Sequence, residues 1–128
     1  MLDHIGFPVS DFVRSKGFYG RVLAPLGYRL LKEIDLSDEN GPGGYAGFGR
    51  ERPQFWIGTG QPLTGRLHIA FAAPERSLVR AFYEAALAAG AKDNGPPGLR
   101  PHYHANYYGA FVLDPDGHNI EAVTHLPE

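Results

Sequence analysis

The sequence contains no cysteine, which excludes disulfides, zinc-thiolate sites and cysteine nucleophiles. Any metal site must therefore use histidine, carboxylate or carbonyl ligands. No apolar run approaches the roughly 20 residues that a membrane-spanning helix needs. The first eleven residues lack the basic start and the apolar stretch of a signal peptide. A cytoplasmic protein with no membrane partner is expected.

The charge balance also lacks any basic excess. Lys and Arg number 12 against 14 Asp and Glu, giving a net charge of -2. Nucleic acid is therefore not an expected partner. The 128 residues, 43% of them hydrophobic, are enough for one compact domain, and the 17 glycines and 11 prolines are consistent with turns between many short strands.

An internal repeat is the most informative feature. The run His-Ile-Gly-Phe at residues 4–7 reappears as His-Ile-Ala-Phe at residues 68–71, an offset of 64. The same offset carries Phe18-Tyr19 onto Phe82-Tyr83. Since 64 is half of the chain, the sequence predicts two copies of one structural unit.

Each copy is predicted to be a βαβββ module, because a strand pattern precedes an amphipathic helix and further short strands follow. The fold class is α+β, with two modules, about 1–60 and 65–128, forming one cup-shaped mixed sheet in a single domain of residues 1–128. The predicted strands and helices of copy one are 2–9, 11–24, 28–34, 45–49 and 54–59. Those of copy two are 67–73, 75–89, 106–113 and 118–124, with a loop at 94–98.

Two histidines occupy equivalent positions in the two copies. His4 and His68 alternate with the bulky residues of their strands, so both are predicted to point away from the helix-covered face. Side chains related by a pseudo-twofold axis meet near that axis when the inner faces line one cup. We therefore expect His4 and His68 to bind one metal ion.

A third ligand is expected from the last strand. Glu121 lies between Ile120 and Ala122, where a carboxylate needs a partner or a metal; the alternative is an edge-strand glutamate facing water. Copy one has Ile57 at the matching offset, with no carboxylate nearby. Two histidines and one carboxylate leave coordination positions open for water and substrate, and Fe, Mn, Zn and Ni all suit such a set.

The turn before the last strand fixes what faces Glu121. A three-residue loop within Asp114–Gly117 places Phe111 opposite Glu121 and Tyr107 on the same face. A register slip of one residue brings in Tyr108 instead. Phe111 and one of the two tyrosines are therefore expected to contact substrate, with Tyr107 as a catalytic candidate.

The segment from Arg100 to Asn106 is rich in donors and titratable rings. His102 and His104 are candidates for a general acid or base, and Arg100 for binding an anionic group of the substrate; the alternative is a polar surface loop.

Trp56 is expected to form an apolar wall, or else part of the core. The two remaining histidines are expected to be exposed and without function: His118 and His125.

The assembled residues resemble the glyoxalase, bleomycin-resistance and extradiol-dioxygenase superfamily, also called vicinal oxygen chelate proteins. Asp3-His4-Ile5 with Phe18-Tyr19 resembles the opening strand and helix of that family, and residues 113–122 resemble its closing hairpin. The resemblance implies a metal at His4, His68 and Glu121. It also implies a lyase, isomerase or oxygenase acting on a small molecule that chelates the metal through neighbouring oxygens.

The sequence also departs from some branches of the family. Glyoxalase I uses a second glutamate, and residues 54–57 offer none, which argues against lactoylglutathione lyase activity. Phe111 stands where ring-cleaving dioxygenases and fosfomycin-resistance enzymes tend to carry a tyrosine. The alternative function is a non-catalytic, bleomycin-resistance-like binding protein, although such relatives lack the metal ligands. A homodimer is expected, with the modules pairing either within the chain or across subunits.

Overall fold

The computed structural model describes all residues 1–128 and divides into two compact units, Met1–Gly65 and Arg66–Glu128. Each unit has one α-helix packed against one mixed β-sheet. Neither helix has the length and apolar character that crossing a membrane would require.

The first unit contains one helix and four strands. The strands are hydrogen-bonded in the order β1-β4-β3-β2, with β1 parallel to β4 and the other neighbours antiparallel. This order confirms the βαβββ prediction for the first half. The elements are β1 Ile5–Val9, α1 Phe12–Leu23, β2 Arg29–Asp35, β3 Gly44–Gly49 and β4 Phe55–Thr59.

Helix α1 begins where the sequence predicts. The Asp11 side chain accepts a hydrogen bond from the backbone N–H of Arg14 at 3.1 Å, satisfying a donor that the helix leaves free. The buried face of the helix lies against the sheet, where the fully buried Tyr19 ring packs at 6.4 Å from Phe7 and 4.9 Å from Phe55. Burial of these aromatic rings anchors the helix to strands β1 and β4.

The second unit repeats this arrangement, with two short strands beside β8 where the first unit has the single strand β2 beside β3. Its main sheet order is β5-β9-β8-β6, and β7 also pairs with β8. The sequence predicts only a loop at residues 94–98, but a strand of two residues precedes this loop and a second strand of two residues begins at Gly98. Two residues are too few to show an alternating pattern in sequence. The elements are β5 His68–Ala72, α2 Arg76–Ala88, β6 Lys92–Asp93, β7 Gly98–Leu99, β8 Tyr108–Leu113 and β9 Asn119–Thr124.

The expectation of an exposed His118 is wrong, because this side chain is only 3% exposed. His118 has the same parity along the chain as Ile120 and Ala122, which are fully buried in strand β9. Alternate residues of a strand share one face, so His118 falls on the helix-covered side. Its backbone N–H also donates to the Asp114 carboxylate at 2.9 Å, within the loop that joins β8 and β9.

Candidate metal centre

The β8–β9 hairpin positions Glu121. The backbone N–H of Asp114 donates to the carbonyl of His118 at 3.0 Å, and Gly117 adopts φ +87° in the intervening loop. This turn sets the predicted register, with Phe111 directly opposite Glu121. The Glu121 side chain is 1% exposed although it lies on the face opposite Ile120 and Ala122.

The ring of His68 contacts this buried carboxylate. Its Nε2 lies 3.0 Å from Glu121 Oε1, and its Nδ1 lies 3.1 Å from the carbonyl oxygen of Asn119. A carbonyl accepts hydrogen bonds only, so Nδ1 carries a proton. Nε2 of the neutral ring then presents a lone pair to a carboxylate oxygen. Such a pair is stable only with a proton or a cation between the two atoms.

His4 has a similar hydrogen-bond arrangement in the first unit. Its Nδ1 lies 2.7 Å from a carboxylate oxygen of Asp3, and its side chain is 61% exposed. The hydrogen bond to His4 and the charge of Arg52 hold the pKa of Asp3 below its usual value. Asp3 therefore remains an acceptor, and Nε2 of His4 is left to bind another group. Metal-binding histidines commonly have this support, with one nitrogen donating to a carboxylate or carbonyl.

The donor set of the second unit fits a divalent metal. Two ligand atoms that each lie about 2.1 Å from an ion, with a ligand–ion–ligand angle of about 90°, are about 3 Å apart. The 3.0 Å separation of His68 Nε2 and Glu121 Oε1 matches this spacing. Within neither unit do three His, Asp or Glu side chains gather closely enough to hold an ion. His68 and Glu121 thus form a two-ligand pair.

Tyr107 supports the same carboxylate. Its hydroxyl donates to Glu121 Oε2, on the side away from His68. Burial, followed by this hydrogen bond and the charge of Glu121, raises the pKa of Tyr107 above its ordinary value, so the hydroxyl remains a donor at neutral pH. A side chain at Gly109 would press on the same oxygen, because its Cβ would lie 3.0 Å from Oε2.

The structure separates the two tyrosines that the sequence left as alternatives. Tyr108 points to the helix side, where Arg80 donates to its hydroxyl at 3.2 Å and the guanidinium of Arg76 lies 5.0 Å from its ring centre. Tyr107 contacts Glu121, whereas Tyr108 does not. The physical reason is the hairpin register, which assigns neighbouring residues to opposite faces.

Arg100, Phe111 and His102 share a small cleft of about 300 Å³ in the second unit. The Arg100 guanidinium lies 5.4 Å from the Phe111 ring centre, and it donates to the carbonyls of Pro96 and Gly98 at 2.7 and 2.8 Å. The same Phe111 ring is stacked near the ring of His68, with 6.1 Å between the ring centres. The Phe111 ring therefore lies in contact with both the Arg100 guanidinium and the His68 ring.

His104 approaches Glu121 through Tyr107. The rings of His104 and His125 lie 5.6 and 5.2 Å from that of Tyr107, edge to face, and His104 Nε2 is hydrogen-bonded to His125 Nδ1. The backbone N–H of Asn106 donates to His104 Nδ1 at 3.1 Å, so a neutral His104 carries its proton on Nε2. His125 is exposed as expected, yet it joins this cluster.

Trp56 occupies the position in the first unit that Glu121 occupies in the second. In the parallel pairs, Gly6 lies opposite Trp56 and Ala70 lies opposite Glu121. The offset between the last strands is thus 65 residues, one more than between the first strands. Trp56 and His4 line a cleft of about 680 Å³. The first unit therefore has an indole ring where the second unit has a carboxylate.

Comparison with known proteins agrees with this architecture. The family model described as the Glyoxalase/Bleomycin resistance protein/Dioxygenase superfamily matches residues 1–122. The chain belongs to this superfamily. No curated protein matches the chain.

Solved structures of the superfamily are similar over most of this chain. A glyoxalase/bleomycin resistance protein from Albidiferax ferrireducens is 29% identical, with a TM-score of 0.75, covering 94% of this chain and 96% of that one. Glyoxalase I from Zea mays is 25% identical with a TM-score of 0.69, and the match covers 95% of this chain but only 43% of the maize protein. The fosfomycin resistance protein FosX from Listeria monocytogenes, solved with Mn(II), is 21% identical with a TM-score of 0.69, covering 96% and 90%.

Three residues that the sequence did not single out shape the site. Asn119 orients His68 through its backbone carbonyl, Asp3 orients His4, and Tyr45 lines the cleft beside Trp56. Asp3 was detectable, because it directly precedes a predicted ligand. The role of Asn119 depends on a carbonyl, which no side-chain pattern reveals.

Proposed function

We propose that this chain is a divalent-metal-dependent enzyme in which His68 and Glu121 hold the ion. The observation that carries the proposal is the 3.0 Å approach of His68 Nε2 to a buried carboxylate oxygen. Both side chains are held in that orientation, His68 by the Asn119 carbonyl and Glu121 by the Tyr107 hydroxyl. Such outer-shell support is typical of metal ligands.

His4 is proposed as a further ligand. It holds the position of His68 in the repeat, and Asp3 leaves its Nε2 available in the same way. Imidazole and carboxylate donors suit Fe, Mn, Zn and Ni, and the proposal extends to one ion of this group. With few protein ligands, the ion retains open positions for a bidentate substrate.

The reaction is proposed to be a lyase, isomerase or oxygenase step on a small molecule with two neighbouring oxygens. The bound ion would act as a Lewis acid on those oxygens. Tyr107 keeps Glu121 oriented by donating a hydrogen bond, and Arg100 with Phe111 binds an anionic part of the substrate. His102 and His104 are the candidates for moving a proton, since each lies beside a tyrosine at the edge of the site.

Metal analysis tests this proposal directly. Protein purified without chelators is analysed for bound metal and screened against catechols, α-hydroxy ketones and other compounds with neighbouring oxygens. We expect about one ion per chain, and we expect His68→Ala to lose it while the fold, followed by circular dichroism, persists. A wild-type chain free of metal that binds none on titration would refute the proposal.

A binding protein without catalysis is the alternative. The large cleft of the first unit and the indole of Trp56 in place of a ligand favour it. Metal content separates the two functions, because a protein that only sequesters a small molecule needs no tightly bound ion.

We also propose that the chain forms a homodimer. The edge strand β2 and its continuation expose Leu30, Ile34 and Leu36 by 39, 41 and 56%. Apolar side chains along an exposed edge strand favour pairing with another chain. Light scattering at micromolar concentration should give twice the mass of one chain, and a monomer mass would refute this proposal.

A further inference from the structure

The large cleft of the first unit has the size of a small-molecule site. Its volume of about 680 Å³ lies within the roughly 300–1,000 Å³ typical of ligand pockets. Trp56 and Tyr45 supply its two aromatic walls, and Tyr45 is 46% exposed. The proposed metal ligand His4 lines the same cleft.

Both aromatic rings lean across glycines of the sheet. Each glycine lies opposite the ring's own residue in the β3–β4 pairing, which matches Tyr45 with Gly58 and Trp56 with Gly47. A Cβ at Gly58 would lie 2.6 Å from the Tyr45 ring, and one at Gly47 would lie 2.8 Å from the Trp56 ring. Each ring therefore fills the space that a side chain at the opposite glycine would occupy. One part of the ring packs on the backbone of that glycine, and another part lines the cleft.

The cleft carries no formal charge. Its lining residues include no Lys, Arg, Asp or Glu, and the Thr59 hydroxyl is already bonded to the backbone of Gly44 at 2.9 Å. The second unit differs, because its cleft contains Arg100. In the metal-free protein, a charged ligand group would lose its hydration in the first cleft without gaining a charged partner. The lining therefore favours an uncharged ligand group.

We propose that the first unit binds an uncharged planar aromatic ring of the substrate against Trp56 and Tyr45. Exposed aromatic faces beside backbone glycines form a stacking platform that accepts a ring and discriminates weakly among ring types. The inference rests on the proposed function only in assigning the ring to a substrate. Ring binding is a property of the first unit that is measurable without metal.

The intrinsic fluorescence of the protein tests this inference, because Trp56 is the only tryptophan of the chain. The probes are benzyl alcohol, cyclohexylmethanol and benzoate, which separate aromaticity from size and charge. We expect benzyl alcohol to shift the Trp56 emission to shorter wavelength. Its affinity should exceed that of cyclohexylmethanol by about three- to tenfold, the range of one aromatic contact, and should also exceed that of benzoate. Equal affinities for the two alcohols would overturn the inference.

Variants locate the ring and separate this inference from the metal proposal. Tyr45→Leu should lose the aromatic preference, whereas Tyr83→Leu, a matched change on helix α2, should keep it. If Tyr45→Leu keeps the full preference, the inference is overturned. His68→Ala and chelator-treated protein should still bind benzyl alcohol. Failure of the metal proposal would remove the ion and leave ring binding, whereas failure of this inference would remove the ring preference and leave the ion.

Discussion

Glu121→Gln is the sharpest test of the metal centre, because it changes one atom of a buried side chain. In the wild type, Oε1 faces His68 Nε2 at 3.0 Å and Oε2 accepts from Tyr107. A glutamine keeps an oxygen for Tyr107 and places an amide N–H opposite the His68 lone pair, so both contacts survive. We expect the free energy of unfolding of the metal-free protein to change by no more than about 1 kcal/mol, the net value of one hydrogen bond.

Metal binding should respond quite differently. The amide has no charge, and its nitrogen cannot bind the ion, so the second unit retains only His68. Losing an outer-shell partner costs roughly 10–100-fold in metal affinity, and loss of a direct ligand should exceed that range. Activity on any substrate that the wild type turns over should fall by more than about 100-fold.

The assay is titration calorimetry with Mn(II) and Zn(II), together with metal analysis of protein purified without chelators. Glu84→Gln is the matched control, since Glu84 is an exposed residue of helix α2. The control should bind metal and turn over substrate as the wild type does. If Glu121→Gln retains wild-type metal affinity or full activity, the assignment of Glu121 as a ligand is wrong.

Further substitutions test the supporting residues. Tyr107→Phe removes the only hydroxyl bonded to Glu121 Oε2, and denaturant titration should give a loss of about 1–3 kcal/mol with metal affinity lower by about 10–100-fold; unchanged values for both would contradict a supporting role. His104→Asn should keep the metal and lower the rate by on the order of 10²–10⁴ if this ring transfers a proton, and an unchanged rate would make it a surface residue. His4→Ala should weaken metal binding, as calorimetry would show, and unaltered affinity would exclude His4 from the ligand set.

Much of the fold was predictable because the repeated segments consist of residues whose pattern determines local structure. The two His-Ile-x-Phe strands and the amphipathic helices that follow them have clear periodicity, and the Asp114–Gly117 turn has a strong local signature. That turn also fixed Phe111 opposite Glu121. The short strands β6 and β7 were missed because their pairing with β8 depends on tertiary contact rather than on pattern.

The candidate site was predictable only at positions where the side chain itself is a potential ligand. His68 and Glu121 stand out as polar residues in apolar strands, and the structure brings them together. The sequence left Tyr107 and Tyr108 as alternatives because a one-residue slip exchanges them, and only the observed register separates them. His118 was expected to be exposed although it was predicted within the last strand, and its parity with Ile120 places it on the buried face of that strand.

The two units share one pattern of strand pairing but carry different side chains at equivalent positions. In the second unit Glu121 stands opposite Phe111, and Gly109 clears space beside its carboxylate. In the first unit Trp56 stands at the equivalent place, and Gly47 clears space for its indole.

Tyr107, which supports Glu121, corresponds by the 64-residue offset to Gly43, which has no hydroxyl to offer. The first unit therefore lacks both the carboxylate and the donor that would orient it, while it gains an aromatic surface. Trp56 has Gly47 opposite it, whereas Glu121 has Phe111, so the two units differ at both members of this cross-strand pair. The two proposed roles, an ion held by His68 and Glu121 and a ring bound by Trp56 and Tyr45, would each account for one of these pairs of residues.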